Sequence, residues 1–544
     1  LLQRINKSVV NRLYGNIEFK YTIPSLEELS FVVNLGYDRS FGEGTNYLPP
    51  GESILGDRVA LNTPYLGHFS GYDGERKNTL MDAYFVYDRE MGDFDFELTS
   101  GYSYQKFTSA NSFTGNLFNE LDQGEVTLDP DIVLIGLFGR ANLGFKDKYL
   151  LTLSYRRDGT SRFSKENRWG NFPAAALAWK VSEEDFLSGS DVLSNLKLRL
   201  GWGITGQQDI PASYAYLGRI GLGNFQTQYM FGDQFYTIAN PQSRFEDIKW
   251  EETTTYNAGI DFGFLNDRIS GSAEVYLKES KDLLANVAVA DGSNFSNSGW
   301  QNIGQFNSKG VELAIGADIV AKDEINWNVN VNADINRTEI DELALDQDIE
   351  VGGIGGGTGS TIQVHSVGFS PNSFFVHKQL YDSAGAPIEG AYADLNQDGV
   401  INSSDKYIYK KPNADFTMGF QSNLDYKNWD FSFNLRASVG NYMYNNVISS
   451  RAQYSLLQAV TVLGNLPTAV RESNFVETAN VLRSDYWLEN ASFLKMDNVT
   501  LGYTWNDIPT DISSIRLWAG VQNVFTVTNY SGLDPEVFGG RDNT

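Results

Sequence analysis

Twelve residues, DLNQDGVINSSD at 394–405, have the types and spacing of a loop that binds a hard cation. They fit D-x-N-x-D-G-x-x-N-x-x-D, with oxygen donors at positions 1, 3 and 5, a backbone carbonyl at 7 and glycine at 6 for the sharp turn. The candidate ligands are Asp394, Asn396, Asp398, Val400 (through its carbonyl), Asn402 and Asp405. The chemistry would be structural Ca²⁺ binding, the cation offsetting the repulsion of three carboxylates within one loop. Position 12 is Asp405 where an EF-hand has a bidentate glutamate, so reach and affinity are reduced. No helical pattern precedes Asp394, so this is not a full EF-hand. The same residues also describe an Asx-rich turn held by side-chain-to-backbone hydrogen bonds. Both readings stay open at the level of sequence.

Other chemistry is thinly supplied. The chain has no cysteine and only three histidines, His68, His365 and His377, so thiolate sites, disulfides and His-rich metal clusters have no basis. Glu251–Glu252 and Glu183–Glu184 resemble carboxylate pairs, but neighbouring residues of a strand point to opposite faces and cannot converge on one bond. VGGIGGGTGST at 351–361 lacks the lysine and strand–helix context of a phosphate loop and reads as a flexible loop. The formal charge of −26 argues against nucleic acid and for a solvated acidic surface. Tyr214, Tyr216, Phe225, Tyr229, Phe231, Phe235 and Tyr236 could stack on sugar rings, although packing of the loop against its neighbours is the favoured reading over that, with the interfacial girdle a further bland role. No catalytic or substrate-binding residue is assigned, and the protein is not read as an enzyme.

The elements that must position the loop have a period of two. In 428–439, Trp429, Phe431, Phe433, Leu435, Ala437 and Val439 share one face, with polar residues between them. Segments 325–337 and 94–105 repeat the pattern. These runs last about twelve residues, whereas strands of soluble sandwiches average ~5–6 and a tilted strand needs roughly 9–11 to cross a bilayer. No run approaches the ~18 apolar residues of a transmembrane helix, and the N-terminal LLQRINKSVVNRLYGN has no signal-peptide core. Short links near 23–28, 90–93, 145–148, 264–267 and 426–429 alternate with long ones near 41–78, 108–130, 207–248, 282–302, 339–360, 383–413 and 442–487. The fold class is therefore all-β, a large antiparallel transmembrane β-barrel of about 18 visible strands with short periplasmic turns and long extracellular loops. Treating 361–367 and 373–382 as two further barrel strands preserves the parity that puts residues 394–405 on the long-loop side.

Several stretches go beyond pattern. RDGTSRFSKENRWGNFPAAALAWKVSEEDFL (157–187), LKLRLGWGITGQQDI (196–210) and WEETTTYNAGIDFGFLNDRISGSAEVYLKESKDLL (250–284) resemble, in order, the SusC/RagA family of TonB-dependent outer-membrane transporters. IGQFNSKGVELAI (303–315), ADLNQDGVINSSDKYIYKKPNADFTMGF (393–420), WLENASFLKMDNVTLGYTW (487–505) and LWAGVQNVFTVTNYSGLDPEV (517–537) continue the series. The resemblance implies a barrel of about 22 strands that takes up oligosaccharides or peptides. It also implies a SusD-like surface lipoprotein as a lid, and energy from TonB–ExbB–ExbD acting on a plug domain. Residues 1–544 are expected to form a partial barrel, with the plug and first strands upstream and the closing strand downstream. The alternatives are a passive outer-membrane porin or channel, and a secreted calcium-stabilised β-rich glycan-binding or adhesion protein.

Overall fold

The computed structural model describes residues 5–536, apart from 49–67, 118–119, 123–125, 188, 211–213, 223–227, 242, 290–291, 293, 296–297, 344–346, 355–360, 459–462 and 507–512. The chain divides into two compact units, residues 1–177, 202–253 and 282–302, and residues 178–201, 254–281 and 303–544.

In the first unit, Ile5–Ile23, Leu26–Leu48, His68–Met91, Phe94–Leu117, Val126–Phe145 and Tyr149–Thr160 pair in sequence as an antiparallel meander. In the second, Ile269–Lys281, Gln305–Lys322, Ile325–Glu342, Phe416–Tyr426, Trp429–Val439, Phe493–Asn506 and Ser514–Thr528 do the same. Registers carry the alternation across strands. Val331 lies between Ile315 and Phe420, while its neighbour Asn330 lies between Gly316 and Gln421. One face of each meander is therefore apolar and the other polar, as a barrel between lipid and water requires.

Among the described residues, no layer of protein covers the apolar face. Val311 is 48% exposed, Ile335 46% and Leu137 53%. In water such a face would be a liability, and in a membrane barrel it meets hydrocarbon. Aromatic side chains gather near the tight turns, with Trp429 at 4.8 Å from Tyr503, Tyr503 at 4.6 Å from Trp505, and Phe94 at 4.6 Å from Phe145. This is the girdle expected where a barrel wall leaves hydrocarbon for headgroups.

The expected turns are present between Ile23 and Leu26, Met91 and Phe94, Phe145 and Tyr149, Phe264 and Ile269, and Tyr426 and Trp429. Positive φ falls at Gly92 (64°), Asn266 (58°) and Lys427 (54°) in those turns. Two expectations are corrected. Strands run far beyond twelve residues, to 24 in His68–Met91 and Phe94–Leu117, so much of the expected loops at 41–78 and 108–130 is strand. Segments 361–367 and 373–382 are not barrel strands, because Ile325–Glu342 pairs directly with Phe416–Tyr426. The described residues between Glu342 and Phe416 form one excursion on the long-loop side. Zero intervening barrel strands is also an even number, so the side inferred for 394–405 survives although its route does not.

Candidate functional site: the polar face and the loop module

The polar face of the first unit is charged. Arg12 donates to both Asp38 oxygens at 2.9 and 2.7 Å. The register Arg12↔Ser40↔Arg76↔Ser109 sets these residues in one cross-strand row. Above them Arg162, 7% exposed, donates to the Ile210 carbonyl at 2.5 Å and to Asp209 at 2.6 Å. Together they line a cavity of about 910 Å³. The loop carrying Arg162 rests on a small core of Phe163, Ile210, Ala215, Ile248 and Trp250, and the Trp250 indole N–H donates to the Arg168 carbonyl at 3.0 Å.

The polar face of the second unit is rich in neutral amides. Asn330 donates to Asn328 at 2.7 Å, Asn328 to Asp318 at 3.0 Å, and Asn434 to Asn498 at 3.0 Å. A cavity of about 850 Å³ is lined by amides, Asn330, Asn332, Gln421, Asn434 and Asn498 among them, together with the apolar Phe262, Ile315, Val331, Phe420 and Leu435. Amides offer both donors and acceptors to a polar, uncharged guest. At one end Arg436 bridges Asp497 (2.5 Å) and Glu536 (2.7 Å).

Beyond the strand ends of the second unit, the described residues of 343–415 and 440–492 build a module with its own core. Ile362, Phe374, Val376 and Ala452 are fully buried, and Phe475, Tyr444 and Trp487 nearly so. A four-stranded sheet of Ile349–Gly353, Thr361–His365, Ser373–His377 and Lys406–Ile408 supports it. Polar clamps close it. Glu389 accepts the N–H groups of Val476 (2.8 Å) and Glu477 (2.9 Å) and the Asn480 amide (3.0 Å). Burial alone would raise the Glu389 pKa, and these donors hold it below the ordinary carboxylate value. Asp485 accepts from the Gln379 N–H and the Tyr407 hydroxyl, at 2.9 and 2.7 Å. Burial, with Asp485 nearby, pushes Tyr381 up to about 12.

All six proposed cation ligands lie in this module. Asp394 accepts from the N–H groups of Asp398 (3.2 Å) and Gly399 (2.8 Å). Asp398 accepts from the Val400 N–H (2.8 Å) and the Asn396 amide (2.9 Å). Asn396 accepts from the Asp398 N–H, and Asn402 donates to the Val400 carbonyl and accepts from the Ser404 N–H. Asp405, fully buried, accepts from Leu395, Asn396 and Asn402. The Asn402 N–H is the largest reason its pKa lies below the ordinary aspartate value. Gly399 has φ 83°, the left-handed turn its position demands. Every carboxylate oxygen of the loop thus has an N–H donor. Among the described residues no group of three or more His, Cys, Asp or Glu side chains is arranged to hold a metal ion. Three carboxylates are reconciled here by backbone dipoles, which act as the cation would.

The remaining candidates separate. Glu251 turns inward and accepts from the Leu284 N–H at 3.1 Å, whereas Glu252 is exposed, so the pair does not converge. Glu184 accepts from the Trp179 indole at 3.0 Å. Of the glycine-rich stretch, 355–360 lie outside the described residues. Tyr214 and Tyr216 pack against neighbouring elements as expected, the Tyr214 hydroxyl donating to the Asp131 carbonyl at 2.6 Å and Tyr216 resting on the core around Phe163 and Trp250. The packing reading fails for Tyr229, Phe231, Phe235 and Tyr236, which stand 53–73% exposed on the hairpin Gln228–Phe231/Gln234–Thr237. Phe225 lies outside the described residues. Sequence reasoning missed Arg162 and Glu389, whose partners are 47 and up to 91 positions away.

Two meanders with one lipid-facing and one polar face, tight turns on one side and elaborated loops on the other, define an outer-membrane β-barrel. Within that class the chain belongs to the "TonB dependent receptor-like, beta-barrel" family, whose model matches residues 6–524, and it is integral to the outer membrane. It is 38% identical over 562 residues to the TonB-dependent receptor SusC of Bacteroides thetaiotaomicron, covering 99% of this chain and 54% of that protein. It is 29% identical over 510 residues to TonB-dependent receptor P3 of Formosa agariphila, covering 86% of this chain and 49% of that one. The chain spans about half the length of these curated relatives. The fold matches a chain in the structure of the RagAB peptide transporter with a TM-score of 0.82 at 20% identity, over 99% of this chain and 60% of that one.

Proposed function

We propose that this chain is the barrel portion of a TonB-dependent importer that carries oligosaccharides or peptides across the outer membrane. The observation that carries the reading is 38% identity to SusC along nearly the whole chain. The exposed aromatic hairpin at 228–237 and the amide-lined cavity suit bulky polar guests. In this reading a SusD-like surface lipoprotein closes over the loops, and TonB–ExbB–ExbD supplies the energy by pulling on a plug domain. The secreted-adhesin reading falls with outer-membrane residence. A passive porin remains the competitor, favoured by the continuous polar face.

The test is uptake of labelled oligosaccharides and oligopeptides by cells expressing the complete protein, before and after the proton-motive force is collapsed. An importer loses uptake on collapse, and a porin does not. Co-purification of a lipoprotein lid is a second expected outcome.

For the 394–405 loop we propose a hydrogen-bonded clamp as the working state. Structural Ca²⁺ is the second reading, favoured by the D-x-N-x-D-G spacing. Its donors would be the same six residues, and it would supply charge neutralisation only.

A further inference from the structure

Lys309 and Arg337 face each other directly across an antiparallel pair. They share the face of Val311, Leu313, Val331 and Ile335, one step beyond the apolar band toward the loops. Like charges directly opposite on a strand pair repel. Lys410 and Lys411 border the same cavity, of about 600 Å³, together with the carboxylates of Glu339 and Asp415. Lys411 is paired with Asp415 at 2.8 Å. For Lys309, Arg337 and Lys410 no ion pair within 4.0 Å is found among the described residues. Lys410 has φ 66°, and its ammonium lies 4.9 Å from the Tyr442 ring and 5.3 Å from that of Tyr409. A left-handed backbone and two aromatic faces fix that charge at the cavity wall.

The first unit treats the loop-ward end of its own apolar face differently. There Arg39 and Lys77 share Glu75 at 2.5 and 2.9 Å, and Lys106 holds Asp131 at 2.6 Å. Four cations against two carboxylates, three of those cations without an ion pair among the described residues, stand out on this face in a chain of net charge −26. Its height, where the apolar band ends, is that of lipid headgroups.

We propose that Lys309, Arg337, Lys410 and Lys411 form a site on the lipid-facing side of the wall for the phosphate group of an outer-leaflet lipid. Arg337 offers paired N–H donors to phosphate oxygens, and the lysines act as point charges around them. The bound anion relieves the Lys309–Arg337 repulsion. The site rests on outer-membrane residence and is independent of what the barrel imports.

The test uses the complete protein purified in detergent, with lipid binding followed by native mass spectrometry. The probes are bisphosphorylated lipid A, its dephosphorylated form and inorganic phosphate. Lipid A is expected to bind at least about tenfold more tightly than the dephosphorylated form, the scale of one charge-assisted contact. The double variant Lys309→Gln/Arg337→Gln should lose that preference, Arg337→Lys should keep most of it, and Arg39→Gln should leave it unchanged. Equal binding of the two lipids, or an equal loss in Arg39→Gln, overturns the proposal. Full displacement of lipid A by millimolar phosphate overturns the lipid assignment in favour of a free-anion site. The lipid comparison and the displacement need no variant, so a misfolded double variant leaves the proposal falsifiable.

Discussion

The strands and the loop module of the second unit solve one problem in opposite ways. Along Gln305–Lys322 and Ile325–Glu342 the apolar side chains have no protein partner layer, and Val311 and Ile335 are nearly half exposed. In the module at 343–415 and 440–492, Ile362, Phe374, Val376 and Ala452 have no exposure at all. The strands borrow their hydrophobic medium from the membrane, and the module makes its own. The first solution depends on lipid and on register, the second on side-chain volume.

Cutting volume from the module should have the largest effect. Phe374→Ala or Phe475→Ala removes a ring from a closed core and should cost about 3–5 kcal/mol. Limited proteolysis should then cut within 343–415 and 440–492, while the heat-modifiable mobility of the barrel on gels is retained. Next, a charge on the lipid-facing side should damage the strands and spare the module. Val331→Arg sits between Ile315 and Phe420 and should cost about 2–4 kcal/mol if it lies near the bilayer midplane, read from folding into vesicles. Asn330→Arg, one residue away on the polar face, should cost far less.

Acid should also act on the module alone. Burial, then the Lys406 charge, lowers the pKa of His377 below its ordinary value. The unfolded module binds that proton more readily, so stability is full above about pH 6.5 and falls as pH drops below it. Asp405 adds a loss in the same direction at lower pH, as the carboxylate range is crossed. Hydrogen exchange of 373–408 at pH 7 and pH 5 should show the opening, with the strand amides unchanged. The smallest expected effect is that of calcium. Chelator should leave protease protection of 394–405 intact, and Asp398→Asn should preserve it, because an amide oxygen can still accept the Val400 N–H. Protection that appears only with added Ca²⁺ would assign the cation.

Legibility in the sequence followed the same division. Alternation in 428–439 and 325–337 needs no distant partner, so faces, turns and membrane residence could be read directly. Strand length could not, because residues past the membrane alternate just as well, and 94–117 continues where twelve residues would have sufficed. Segments 361–367 and 373–382 misled because a short buried strand and a barrel strand share composition. The loop's Asx-turn reading matches the geometry found, in which Asp394, Asn396, Asp398 and Asn402 all accept from nearby donors. What the spacing could not reveal is that Asp405 reaches back to Leu395 and Asn396 and closes the loop with its own donors.

The module's core is also drawn from two separate stretches of chain. Ile362, Phe374 and Val376 precede the hairpin of Phe416–Tyr426 and Trp429–Val439, whereas Tyr444, Phe475 and Trp487 follow it. Neither half alone contains the full complement of buried rings. The hairpin pairs Phe416 with Val439 and so returns both halves to one end, where their rings meet in one core. The cap is therefore geared to the wall beneath it: a slip in that hairpin's register would pull the two halves of the core out of step.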